Sequence, residues 1–175
     1  MNRGKKLLRN VVLIFIFSSF FYYYGGFYVS RQQCVTETVR GLYGRETREV
    51  MELRRNNYSF TLMAEENNES FSVVGTKKKG LLYQTASSSI GIPIDKEDIL
   101  KISGMGSSDY GSVVFMYRND KTIEKVEVHL ENGELLLITD WHEDYAGYLR
   151  KDHDWQSGTY KAYNAAGELI GEVYY

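Results

Sequence analysis

Asp140, His142 and Asp144 alternate along the chain, so an extended strand would project all three to one side, and Asp152, His153 and Asp154 follow after a loop. Carboxylate and imidazole both ligate divalent metals. Asp140, His142, Asp144 and His153 are therefore a candidate metal set, the basis for an alternative reading as a metal-dependent enzyme. Against it, the stretch 140–154 is dense in Asp, Glu, Lys and Arg, as solvated loops are, and that reading is preferred. His129, between Glu127 and Glu131, is placed on a surface strand.

The same region is aromatic. Trp141, Tyr145, Tyr148, Trp155, Tyr160, Tyr163, Tyr174 and Tyr175 make 8 of the last 35 residues, about 23% against 14% for the whole chain. Rings interspersed with Asp, Asn and Gln suit a platform for a peptide or sugar, and Trp141, Tyr145, Tyr148 and Trp155 are its candidate residues. Packing in a small β domain is the competing use for them.

Other chemistry is thin. There is no G-x-S-x-G elbow, no H-E-x-x-H and no P-loop in the sequence. Gly104-Met105-Gly106 with Gly111 lacks dinucleotide spacing and reads as a loop, and no cofactor is implied. A non-catalytic role follows. Lys plus Arg total 21, and four of them (Arg3, Lys5, Lys6, Arg9) precede a hydrophobic run, which leaves 17 basic against 23 acidic residues beyond it. A domain of net charge −6 with interspersed signs offers no basic stripe for nucleic acid.

That hydrophobic run, Val11 to Val29, holds 19 residues without a charge. As a helix it would extend about 28 Å, close to the roughly 30 Å of a hydrocarbon core. Tyr22, Tyr23, Tyr24 and Tyr28 gather at its far end, where amphipathic rings favour the headgroup level, and the basic residues before it set the N-terminus in the cytoplasm. No pair of small residues two apart marks a cleavage site after it, so residues 11–29 read as a retained signal anchor at the cell membrane, behind a basic tail of residues 1–10. The remainder then lies outside. The single cysteine, Cys34, excludes an intramolecular disulfide, and a bacterial envelope protein fits a disulfide-free outer domain.

Val35, Val39, Leu42, Val50 and Leu53 recur at steps of four and three, predicting an amphipathic stalk helix over Gln33 to Arg55 within a juxtamembrane segment 30–57. Arg45 with Glu49 and Arg48 with Glu52 would pair across a turn of it. The stalk, or Cys34, offers a route to a homodimer. From residue 58 to 175 the period changes to alternation, predicting a mainly β (α+β) fold, a single antiparallel hairpin and meander domain, sandwich- or barrel-like. Turns are expected at Asn67-Asn68, Lys77 to Gly80, Asn132-Gly133 and Gly167, with one short helix near Asp95 to Ile102 capped by Asp95. A two-residue type I′ turn at Asn132-Gly133 would set Leu130 opposite Leu135, Val128 opposite Leu137 and Val126 opposite Thr139, all in the core.

The whole is read as a single-pass membrane-anchored module with a binding or accessory role, its partner an envelope protein, peptide or glycan. A pilin-like or secretion-assembly subunit is a further alternative. It lacks the processing glycine and the early glutamate of pilins.

Overall fold

The computed structural model describes residues 3–151 and 158–175. Its elements run α1 (Arg3–Tyr24), β1 (Phe27–Tyr28), α2 (Arg31–Tyr43), β2 (Thr47–Arg55), β3 (Tyr58–Glu65), β4 (Ser70–Lys79) and β5 (Leu82–Pro93). Then follow β6 (Leu100–Ser107), β7 (Gly111–Arg118), β8 (Ile123–Leu130), β9 (Leu135–Ile138), β10 (Tyr145–Arg150), β11 (Gly158–Asn164) and β12 (Leu169–Tyr174). All pairings are antiparallel. They form sheets ordered β1-β5-β4-β3-β2, β10-β7-β6 and β12-β11-β8-β9. The chain is thus mostly β, as the alternation from Tyr58 onward requires, with a sheet curled into a half-barrel.

β7 explains how the sheets are held together. Its side chains alternate between two cores: Val113, Phe115 and Tyr117 pack with Phe60, Leu62, Phe71 and Val73 of the five-stranded sheet, while Val114 and Met116 pack with Val126, Val128 and Tyr160 of the four-stranded sheet. The strand sequence GSVVFMYR is apolar at both parities, which is what burial on two faces demands. β3 and β4 are also buried on both faces, because α2 lays Val35 and Val39 on Met63 and Val74, opposite the Phe60 side.

Several sequence expectations are corrected. The helix over 33–55 ends at Tyr43, where Gly44 takes a left-handed φ of 72° and its N–H bonds to the Arg40 carbonyl at 3.0 Å. Only glycine enters that region freely. Ser30 caps the other end, accepting from the Gln33 N–H at 3.1 Å. Thr47–Arg55 is a strand on β3, with a bulge between Glu49 and Met51 that turns both Val50 and Met51 toward the core. Arg45 therefore pairs with Glu65 at 2.7 Å and Arg48 with Glu143 at 2.6 Å. Nor is there a helix at Asp95 to Ile102. Asp95 closes one turn, with its carbonyl accepting from the Asp98 N–H, and Leu100 and Ile102 are buried at a spacing of two in β6. Gly104 belongs to β6 rather than to a loop, its N–H donating to the Tyr175 hydroxyl at 2.8 Å.

At the N-terminus the expected run to Val29 is also shortened. α1 stops at Tyr24, and after Gly25-Gly26 the chain joins the sheet, with Phe27 opposite Gln84 and Tyr28 opposite Tyr83. The uncharged part of the helix, from Val11 to Tyr24, rises only about 21 Å. Among the described residues, no helix is long and apolar enough to cross a membrane.

The hairpins at Asn67-Asn68, Gly80 and Gly167 fall where expected, but the one at Asn132-Gly133 has a different register. The Gly133 N–H donates to the Leu130 carbonyl and the Leu130 N–H to the Glu134 carbonyl, both at 2.9 Å, so the loop has three residues, Glu131 to Gly133. Gly133 alone adopts positive φ, at 83°. This is a type I turn closed by a left-handed glycine. His129 now faces Leu135, Val128 faces Leu136 and Val126 faces Ile138, which sends Leu136 and Ile138 to the core and leaves Leu135 and Leu137 more than half exposed.

The two registers make opposite predictions for adjacent residues. Leu136→Ala should destabilise the chain by about 1 to 3 kcal/mol in chemical denaturation, while Leu137→Ala should stay within about 0.5 kcal/mol. A larger loss at Leu137 would restore the two-residue turn.

Candidate functional site

The metal set does not assemble among the described residues. β9 ends at Ile138, so Asp140 and His142 lie outside a regular strand and both are exposed. His142 makes only a short bridge to Tyr145. Asp144 faces Arg118 at 3.6 Å and Lys121 at 3.3 Å, two cations that neutralise it. No group of three or more His, Cys, Asp or Glu able to hold a metal occurs among the described residues. His153 lies outside them, as does Trp155.

The other aromatic candidates are packed. Tyr145 is 1% exposed between Phe71 and Tyr117, and burial pushes its hydroxyl well above the usual tyrosine range. Tyr148 shares a 3.0 Å hydrogen bond with the hydroxyl of Tyr160, itself fully buried. Trp141 donates from Nε1 to the Glu124 carbonyl at 3.1 Å, and the Arg118 guanidinium lies 4.8 Å from its ring centroid. Arg118 thus gathers residues 141–144 against the end of β7, since it also donates to the Glu143 carbonyl at 3.2 Å. Cys34 is buried in α2 beside Thr85 at 3.5 Å; desolvation raises its thiol, partly offset by the Thr85 and Thr38 hydroxyls.

The unusual surface is at the other end of the molecule. Every residue from Val11 to Phe17 is between 46% and 74% exposed, as are Leu7, Leu8 and Phe20. Seven successive helical positions cover the whole circumference, so α1 buries no face against the domain. A helix apolar all round is not the arrangement of a soluble surface helix. Between it and the sheet edge runs an open apolar groove lined by Leu13, Phe17, Phe27, Val29 and Leu82.

Beside the groove lies the β4–β5 hairpin tip. Lys79 pairs with Leu82 across it, and Leu81 at the turn is 90% exposed. Lys78 and Lys79 are exposed too, with their ammonium groups 5.9 Å from the Tyr83 ring and 5.8 Å from the Phe27 ring. Sequence reasoning missed this cluster. Its signal was Lys77-Lys78-Lys79-Gly80-Leu81-Leu82, where one leucine sits in the turn and a second opens the next strand, at a tip that a soluble protein would make polar.

No protein-family model, curated protein or solved structure matches this chain.

If Tyr148 and Tyr160 serve packing, removing one hydroxyl strands the other. Tyr160→Phe and Tyr148→Phe should each cost about 1 to 2 kcal/mol, and the double variant clearly less than their sum, in a denaturation cycle on the full-length chain. Additive or silent changes would show that the pair does not support the fold.

Proposed function

We propose that the protein is a membrane-attached, non-catalytic binding or accessory module of the cell envelope, held by α1 with its β domain on the outer side. The observation that carries this reading is the exposure of apolar side chains around the whole of α1. In water, burying a single Leu or Phe side chain is worth about 1.5 to 3 kcal/mol, so ten such residues left bare call for another apolar phase. Lipid provides one. Arg3, Lys5, Lys6 and Arg9 at the start of the helix favour a cytoplasmic N-terminus. Because the uncharged helix is shorter than a full hydrocarbon core, local thinning of the bilayer and the groove-lining Phe27 and Val29 make up the difference.

The non-catalytic part of the reading is supported by the uses already found for the polar and aromatic candidates: Asp144 is paired, and Tyr145 and Tyr148 are packed. On the domain surface away from α1, the edge strand β9 carries outward-facing Leu135 and Leu137 and is the best place for an envelope protein or peptide to add. Cys34, Val35 and Val39 of α2 are turned inward, so self-association would use another surface.

Fractionation of cells expressing the full chain tests the attachment. The full-length protein should sediment with membranes and resist alkaline carbonate, external protease should remove the β domain, and a chain starting at Gly25 should be released. Recovery of the full-length chain in the soluble fraction would refute the proposal.

A further inference from the structure

We infer that the β4–β5 hairpin tip is a second membrane contact, in which Leu81 and Leu82 enter the lipid beside α1 while Lys78 and Lys79 bind anionic phospholipid headgroups. The inference rests on the membrane reading of α1 and adds the surface that orients the domain on the bilayer. Three observations lead to it. The first is connectivity: only Gly25 and Gly26 separate α1 from β1, and β1 pairs with β5 at Tyr28–Tyr83 and Phe27–Gln84, one residue from Leu82. Wherever α1 enters lipid, the tip is carried to the same surface.

The second is continuity of the apolar surface. Leu82 lines one wall of the groove whose other wall is Leu13 and Phe17 of α1, so lipid that covers the helix also reaches the tip. Leu81, nine-tenths exposed at the turn, has no contact within the domain that would account for a leucine there. The third is charge. Lys77 is held by Asp109 at 3.3 Å, but Lys78 and Lys79 form no ion pair among the described residues. Two cations with no carboxylate partner among the described residues, on a domain of net charge −6 and set beside two exposed leucines, match a surface that is negative at the headgroups and apolar beneath. Their ammonium groups lie over Tyr83 and Phe27, rings suited to the interfacial level. An acidic soluble protein would meet the lysines but leave Leu81 and the groove without a partner.

An environment-sensitive fluorophore placed by Leu81→Cys in the full-length chain reads the contact directly, with the parent chain, whose Cys34 is buried, as the labelling control. After reconstitution into phosphatidylcholine vesicles containing phosphatidylglycerol, the Leu81 probe should shift to the blue and be quenched by a nitroxide lipid at least about twofold more than a probe at Asn132→Cys on the opposite sheet. Lys78→Gln with Lys79→Gln, or vesicles of phosphatidylcholine alone, should reverse most of that quenching. If the chain floats with the vesicles yet the Leu81 probe reads water, this inference falls and the anchoring by α1 stands. Should the chain fail to float at all, both fall. Equal quenching in neutral vesicles would overturn the assignment of the lysines to anionic headgroups.

Discussion

The structure depends on one strand that must be dry on both sides. β7 puts Val113, Phe115 and Tyr117 into one core and Val114 and Met116 into the other, and four of these five are fully buried. Truncating such a phenylalanine to alanine costs about 3 to 5 kcal/mol, a large part of the stability of an ordinary domain. Its neighbours divide in the same way, β6 sending Met105 to one core and Leu100 and Ile102 to the other, and β10 sending Tyr145 to one and Ala146 to the other, so β7 is the middle strand of a sheet that is buried on both faces. The five-stranded and four-stranded sheets therefore pack on opposite faces of the β10-β7-β6 sheet, which is why a chain with many short hairpins still makes one body.

Polar groups lock the outer layer to that centre. Glu65 at the end of β3 is buried, and desolvation would raise its carboxyl, but hydrogen bonds from Arg45, Ser70 and Tyr43 outweigh this and hold it below the usual range. Those partners come from the end of α2, the loop after it and the start of β4, so one carboxylate ties three segments together. Arg118 does the same at the far end of β7, where it collects Trp141, Glu143 and Asp144. Charged side chains that could serve chemistry in isolation are here spent on holding loops against strands.

What the sequence made legible follows from this. Hairpin positions were readable, because Asn68, Gly80, Gly133 and Gly167 all take positive φ and glycine and asparagine mark such sites locally. Register was not, since a two-residue and a three-residue loop fit the same Asn132-Gly133 dipeptide and a slip of one inverts every face. β2 was misread because Val50 and Leu53 happen to continue the helical spacing of Val35 and Val39; pairing with β3 overrides that coincidence, and Gly44 is the local sign that the helix stops. Among the described residues the metal set does not come together, for a similar reason. Its alternation presumed a strand through residue 144, whereas β9 ends at Ile138. The hairpin tip escaped notice because lysine runs read as ordinary solvated surface until the fold sets them beside α1.

The two faces of β7 also separate the molecule's two outer surfaces. The N-terminal side, through the five-stranded sheet, carries α1 and the lysine-leucine tip, while the four-stranded sheet on the other side is left with its β9 edge open. Amide hydrogen exchange on the full-length chain tests this central placement most directly. The amides of Val113 to Tyr117 should exchange only through global unfolding and be the slowest in the chain, well behind those of β9 and β12. Exchange in β7 as fast as in those edge strands would contradict a structure built around it.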